Sequence, residues 1–578
     1  MTTARRAGIL CVCLVAPGCG RDVPSTAPPI EPPEIQKVAE KPRPAPVFVD
    51  IAQSAGLTTP HREPADGRFR LVETMGGGLG LIDFDGDGDL DLFVGQGGAI
   101  PPATGDQQWS SKLYRNDGPG KFVDVTEQAG VAFGRYVQGV AVGDYDGDGR
   151  DDLYVAGFGR SALYRNVDGS RFVDVAEKAG VAGSGWPTSC AFADLDGDGD
   201  LDLFVVHYLA NTVDANGEPT VRCNASPGKL GYCPPNAFEP EPDVLYRNNG
   251  DGTFTDVSIA SGIAKVAGNG LGLAIADFDD DGKLDVFVAN DQSPNLMWRN
   301  LGNLRFEEVG LSWGVALSET GQTRAGMGVA AGDFDGDGQI DLCVTNFYEE
   351  GVTLYRNLGQ ARFQVATSTS RLSVPTRSKL GFGAVFLDYD NDGRLDLFLA
   401  NGHINDVTSV GMPYRMEAQL FHNESRGRFA DVSNESGDYF RQPRLGRATA
   451  VGDLDNDGDP DLVVSHLGTP PALLRNESTG GNSLRLTLIG AGRSRSAIGA
   501  KVSVEINKQT LTRWVVGGSS YLAASDPRIL IGLGKSSQID LIEIKWPSGK
   551  VQMVGKPPAV RALTIVEGES PRETRLPR

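Results

Sequence analysis

Two textures alternate along most of the chain. Short apolar runs, such as "LGLI" at Leu79–Ile82 and "LFV" at Leu92–Val94, flank stretches in which aspartate takes every second position. The aspartate stretch recurs seven times, beginning at Asp83, Asp144, Asp194, Asp277, Asp333, Asp388 and Asp453, at intervals of 50 to 83 residues. Two further segments keep step. One is "LYRN" (Leu113–Asn116, Leu163–Asn166, Leu245–Asn248, Leu354–Asn357), with variants at Met297–Asn300, Leu420–Asn423 and Leu473–Asn476. The other is "FxDV" with a trailing "AG", as at Phe122–Val125 and Phe172–Val175. Apolar runs rich in β-formers on both sides of a polar turn predict a hairpin. Each unit therefore reads as four antiparallel strands, and a repeat of this length predicts a propeller blade. After Asn476 no "FxDV" follows, but an extra copy, "FVDIAQSAG", stands at Phe48–Gly56. It is expected to complete the seventh blade and close the ring, which removes the exposed sheet edge.

The predicted fold class is all-β: a seven-bladed β-propeller at 47–477, then a small β-sandwich or barrel at 478–567 and a tail at 568–578. The second body is read from "LRLTLIG", "AKVSVEI", "TRWVVG", "RILIGLG" and "LIEIKW". At the other end, Arg5 and Arg6 precede the apolar run "AGILCVCLVA", which is too short to span a bilayer. Residues 1–19 read as a signal peptide. "VAPGC" resembles a lipoprotein cleavage box with Cys19 as the lipidated residue, although Ala16 and Pro17 depart from it. Residues 20–46 carry eight prolines and read as an extended tether. The expected localisation is extracytoplasmic, secreted or lipid-anchored in the cell envelope. In that oxidising setting Cys223 and Cys233 are expected to form a disulfide. Cys190 and Cys343 sit in strand-like runs and are expected to be buried.

The aspartate stretches have the chemistry of calcium loops. Every copy has Asp at positions 1, 3, 5 and 9 and Gly at position 6. Alternating carboxylates can turn around one ion, glycine allows the bend, and position 7 can offer a backbone carbonyl. The donors are hard oxygens, which favours Ca²⁺, about seven ions in all. The candidate ligands are Asp83, Asp85, Asp87, Asp89 and Asp91; Asp144, Asp146, Asp148, Arg150 and Asp152; Asp194, Asp196, Asp198, Asp200 and Asp202; Asp277, Asp279, Asp281, Lys283 and Asp285; Asp333, Asp335, Asp337, Gln339 and Asp341; Asp388, Asp390, Asp392, Arg394 and Asp396; Asp453, Asp455, Asp457, Asp459 and Asp461. An EF-hand is excluded, since position 12 of the first copy is Val94 and the flanks are strands. The chain's net charge is -21, and these loops account for it. No basic stripe with interleaved aromatics is present, which argues against nucleic acid as a partner.

These loops resemble the FG-GAP/VCBS repeats of calcium-binding propellers, including the integrin α head. "SRSAIGAKVSV", "GLG" at Gly532–Gly534 and "WPSG" at Trp546–Gly549 resemble the ASPIC/UnbV domain of the cartilage acidic protein family. Ser494, Arg495 and Ser496 stand where that family usually has Ser-Asn-Arg, so the chain departs from the pattern there.

The end of each second strand lies opposite the aspartate loops. The residues expected there are Gln96, His207, Tyr208, Asn290, Asn346, Asn401, His403 and His466. Together with insertions at 97–112, 208–243 and 402–417 they suggest a polar rim for sugar hydroxyls or a protein loop. No G-x-S-x-G elbow or phosphate loop is present. Three function classes stand: a recognition or adhesion module for a glycan or extracellular protein; a polysaccharide-active lyase or dehydratase using His207, Tyr208 and His403; and a scaffold within a surface assembly. No catalytic residues are assigned. A membrane enters only through the N-terminal anchor.

Overall fold

The computed structural model describes residues 46–62, 66–101, 110–226, 228–493, 495–557 and 561–574. The signal peptide, Cys19, nearly all of the tether and Ser494 lie outside them. Seven sheets each take four antiparallel strands from the repeats. In the second they are Val137–Gly143, Asp152–Gly157, Ala162–Asn166 and Phe172–Asp174. The seventh is completed by Phe48–Asp50, which pairs with Ala472–Asn476 in the register Phe48↔Asn476 and Asp50↔Leu474. The first strands of the seven sheets pack against one another in cyclic order, and Gly446–Gly452 meets Leu79–Ile82. The repeats thus form a closed β-propeller, as the stray N-terminal copy predicts.

Its cores lie between neighbouring sheets. In the third sheet, Leu203 and Val205 join Tyr154 and Leu163 of the second, while Phe204 and Val206 join Leu273 and Val288 of the fourth. A strand covered on both faces needs apolar residues on both, so its sequence is a continuous apolar run without alternation. The "FxDV" segment is a three-residue strand followed by a single helical turn. Asp174 Oδ1 accepts the Ala176 N–H at 3.0 Å, and Gly180, at φ 82°, ends the turn Ala176–Ala179.

Beyond Asn476 two more four-stranded sheets face each other. One holds Asn482–Ile489 and Ile529–Gly534, the other Lys501–Ile506 and Leu541–Lys545. They share a core of Leu486, Val502, Ile531, Ile542, Trp546 and Leu563. This sandwich sits on the aspartate-loop rim of the ring and sends one segment down the central channel. Gly517–Gly518 pairs with the first strand of the fourth sheet, and Ala523–Ala524 pairs in parallel with Leu79–Ile82. At the tip, Tyr521 and Leu522 are fully buried. The Tyr521 hydroxyl lies 3.3 Å from Met75 Sδ, and its ring stands edge-on to Phe382 at 5.1 Å. Gly78 shows how tight the fit is: a Cβ there would meet Gln138 O at 2.2 Å and Leu522 O at 2.4 Å.

At the far end of the channel the Arg447 guanidinium lies 3.9 Å from the centre of the Phe382 ring. It donates to the carbonyls of Thr74, Gly402, Gly446 and His403, so its charge is buried but fully engaged.

Candidate metal centre

Each aspartate stretch is the turn between the first two strands of its sheet. Gly149, at position 6 of the second loop, has φ 88°, a conformation that strains residues bearing a Cβ. Asp144 Oδ1 accepts the Asp148 N–H at 3.0 Å and Oδ2 the Gly149 N–H at 2.8 Å. Asp148 Oδ1 accepts the Arg150 N–H at 3.1 Å. Asp152 accepts the Asn166 N–H at 2.7 Å and the Tyr145 N–H at 3.2 Å.

This network gives the carboxylates different tasks. The side chains that converge are those of positions 1, 3 and 9. One oxygen from each of Asp83, Asp85 and Asp91 lies within 4.8 Å of the others, and the same holds for Asp144, Asp146 and Asp152, for Asp194, Asp196 and Asp202, and for Asp277, Asp279 and Asp285. Position 5 also holds the turn: Asp87, Asp148, Asp198, Asp281, Asp337, Asp392 and Asp457 each accept the N–H of position 7. Where position 7 is basic, its side chain folds back onto that aspartate, as Arg150 does on Asp148, Lys283 on Asp281 and Arg394 on Asp392.

The crowding leaves a mark on proton affinity. Burial, and then neighbouring aspartates, push Asp83 up to about 6. Burial pushes Asp91, Asp152 and Asp202 up to about 8, against backbone donors that pull the other way. The side-chain oxygens Asp146 Oδ1, Asp335 Oδ1, Asp390 Oδ1 and Asp453 Oδ1 are buried without a hydrogen-bond partner. Orphaned buried carboxylate oxygens are expensive unless a cation reaches them. The donor set is hard oxygen in every loop but the sixth, so these acidic clusters suit a divalent cation of the calcium type.

The "LYRN" segment proves to be part of the same device. In three units its arginine reaches the position-3 aspartate from outside: Arg165 to Asp146 at 2.5 Å, Arg299 to Asp279 at 2.9 Å, and Arg356 to Asp335; Arg115 and Arg475 turn instead to Asp117 and Glu477. Its asparagine fastens the ring. The N–H of Asn116, Asn166, Asn248, Asn300, Asn357, Asn423 and Asn476 donates to the position-9 aspartate at 2.7–2.9 Å. Each side-chain Nδ2 then donates to the position-2 carbonyl of the preceding loop, at 2.7–3.0 Å. Asn116 reaches back to Leu454, so the series closes between the last loop and the first. The asparagine is visible seven times in the sequence, but its partner in the neighbouring unit is not.

The sandwich meets this rim with basic side chains. Arg485 pairs with Asp453 at 3.2 Å and Lys501 with Asp280 at 3.1 Å. Arg528 donates to Gly88 O and Asp453 O, and Arg513 to Gly393 O. Between the rim and the sandwich lies a cavity of about 720 Å³ lined by Asp83, Asp144, Asp151, Arg495, Arg513 and Arg528.

On the opposite rim the expected ring of exposed polar groups is a buried belt. Gln96, His207, Tyr208, Asn290, Asn346, Asn401, His403 and His466 are all buried. Most serve the connecting loops. Asn290 donates to Pro294 O, Asn346 to Gly351 O and Asn401 to Glu417 O. Gln96 Oε1 accepts the Arg62 N–H, and Tyr208 donates to Asp291. His207 contacts Val205 O and Ser184 O, and His466 contacts Pro470 O and the Tyr439 hydroxyl. His403 Nδ1 accepts the Asn405 N–H. The physical reason is length: the insertions fold back over the strand ends, whose amides and imidazoles satisfy their backbones.

The same end carries a set of half-buried aromatics, Phe69, Tyr232, Phe238, Phe347 and Tyr348, the last four packed against the central core. The insertions are tied together. Cys223 and Cys233 form a disulfide, Arg70 donates to Gly217 O at 2.6 Å, and Asn405 Oδ1 accepts the Tyr232 N–H at 3.1 Å. Cys190 and Cys343 are buried free thiols. No helix among the described residues is long and apolar enough to cross a membrane.

Comparison with known proteins agrees with this architecture. A family model described as FG-GAP-like repeat matches residues 83–155, 144–205, 237–288, 277–344 and 333–399, and one described as ASPIC and UnbV matches 490–572. The chain carries FG-GAP-like repeats and a C-terminal ASPIC/UnbV domain. By sequence it is related to cartilage acidic protein 1. It is 29% identical to the human protein over 344 residues, covering 57% of this chain and 48% of the relative. It is 28% identical to the Xenopus tropicalis protein over 305 residues, covering 52% and 44%. The chain thus spans about half the length of these relatives. Among solved structures it is similar, at 18% identity and a TM-score of 0.38, to an Agrocybe aegerita lectin that recognises non-reducing terminal N-acetylglucosamine, covering 68% of this chain and 86% of that one.

Proposed function

We propose that the protein is an extracytoplasmic recognition and adhesion module whose insertion rim binds a glycan or an extracellular protein. Calcium in the seven loops serves as a structural clamp. The observation that carries this reading is the division of labour between the rims. The chain's own sandwich occupies the aspartate-loop rim, pairing Arg485 with Asp453 there, while the opposite rim carries the half-buried aromatics Phe69, Phe347 and Tyr348 together with Tyr232 and Phe238 of the disulfide-braced insertion. Aromatic faces held by a rigid scaffold suit sugar rings and protein side chains alike. The disulfide fits an oxidising compartment and supports placement outside the cytoplasm, secreted or lipid-anchored. Catalysis gains no support, because His207, Tyr208 and His403 are buried and engaged with loop groups.

Glycan and protein arrays probed with the calcium-loaded chain provide the test. The expected result is binding that disappears in Tyr232→Ala and Tyr348→Ala while circular dichroism shows both variants folded at the assay temperature. Arrays without a hit, or hits indifferent to both substitutions, would overturn the assignment of this rim.

A further inference from the structure

The sixth loop departs from the other six at one position. Six of the seven "LYRN"-type segments place arginine at the third position, as Arg165, Arg299 and Arg356 do; the sixth places His422. The imidazole turns into the loop. His422 Nδ1 lies 3.3 Å from Asp396 Oδ1 and 4.0 Å from Asp390 Oδ2, with all three side chains almost wholly buried. Separations of about 3 to 4 Å between donors are those of ligands sharing one ion at roughly 2.0–2.2 Å.

A second observation is independent of that geometry. Asp390 Oδ1 is buried and has no hydrogen-bond partner. In the second and fifth loops, where the position-3 aspartate also keeps an orphaned oxygen, the arginine neutralises its other oxygen. Asp390 has an imidazole in that place.

The loop is also shut. Gly481 donates to Asp390 O and Gly534 to Asn391 O, both at 2.8 Å, so the sandwich lies directly over it. Asp388, Asp390, Asn391 and Asp396 are all buried, whereas the first loop leaves Asp85 and Asp87 exposed or half-exposed.

Calcium takes six to eight oxygen ligands and gains little from an imidazole; zinc and its neighbours take nitrogen and oxygen at low coordination number in closed sites. We propose that the sixth loop is a mixed nitrogen–oxygen site, held by Asp390, Asp396 and His422, for a borderline divalent cation of the zinc class. This rests on the reading that the loops hold cations, and differs from it in the metal. The Tyr389 hydroxyl hydrogen-bonds His422 Nδ1 at 3.1 Å; coordination takes that lone pair, with the imidazole proton on Nε2 and the hydroxyl turned away from the nitrogen.

The experiment uses the full chain with its disulfide intact, stripped with chelator and reloaded with millimolar Ca²⁺ plus one equivalent of Zn²⁺. Native mass spectrometry and elemental analysis then count both metals. The expected result is one zinc retained against the calcium excess, weakened at least 100-fold in His422→Arg with the calcium of the other loops retained. Because arginine is larger than the buried imidazole it replaces, His422→Gln is measured in parallel. A spectroscopic arm needs no variant: one equivalent of Cu²⁺ in the wild-type chain should show imidazole nitrogen modulation in pulsed electron paramagnetic resonance, absent in His422→Gln. Zinc lost to calcium, zinc retained equally by both variants, or a copper signal without nitrogen would overturn the proposal. If calcium still fills the other loops, only the sixth-loop assignment falls. If no loop takes a divalent ion, the clamp reading falls with it.

Discussion

The two rims of the ring are built from the same strands and solve opposite problems. The aspartate rim is stereotyped. The same aspartates, glycine and asparagine recur in seven places, and one set of hydrogen bonds serves all seven. The insertion rim is individual. Its segments differ in length and are satisfied by whichever amide or imidazole ends the nearest strand, such as Asn290 for Pro294 and His466 for Pro470. Repetition holds a ring together, because each unit must fit identical neighbours. Variation belongs where nothing has to match, and such loops are where binding specificity resides.

Chelation should break the comparison most severely, because the proposed calcium clamp belongs to one rim only. A site at 100 times its Kd contributes about 2.7 kcal/mol, and several act on one fold. With 1 kcal/mol shifting the melting temperature by roughly 2–4 °C in domains of 150–250 residues, EDTA should lower it by more than about 10 °C in scanning calorimetry. An unchanged melt would contradict the clamp.

Acid should strike the other rim. Burial holds His61 down to about 3 and His403 and His466 down to about 4. Their folded values lie below the unfolded value of about 6.5, so their contribution is intact above that pH and lost as pH falls from 6.5 towards 4, at roughly 1.4 kcal/mol per unit for each group. In saturating calcium, hydrogen exchange at pH 5 should open the ends of the second strands before the aspartate loops. Uniform opening would remove the distinction between the rims.

Tyr521→Ala tests whether the channel plug joins them. Removing a buried aromatic costs about 3–5 kcal/mol. The loss should appear as a lower denaturant midpoint with the disulfide and calcium count intact; a change under about 1 kcal/mol would mean that the plug merely fills space.

Asn300→Ala sharpens the aspartate side alone. It leaves Leu195 O and Leu284 O without their shared donor. The expected destabilisation is about 1–3 kcal/mol, with exchange rising at the junction of the third and fourth sheets and nowhere on the insertion rim.

Much of this was legible beforehand because it is local. Aspartate at positions 1, 3, 5 and 9 with glycine at 6 specifies a turn whatever surrounds it, and apolar runs on either side make it a hairpin. The count of seven and the returning strand at Phe48–Asp50 follow from bookkeeping of repeats along the chain. The cysteine pair needed only a short loop and an oxidising setting. The site was legible in kind but not in detail. That position 5 also clamps the turn had to be seen in space, since spacing alone does not show Asp148 accepting the Arg150 N–H.

The sequence by itself determined the repeating unit, its number, its closure and its acid chemistry, because each is written in residues a few positions apart. Only the tertiary structure decided which polar groups were left for a partner. Asn116 finds Leu454, Tyr521 finds Met75 and Arg447 finds Thr74 across hundreds of residues. No local pattern encodes those meetings, because they depend on which surfaces remain to be buried once the ring has closed.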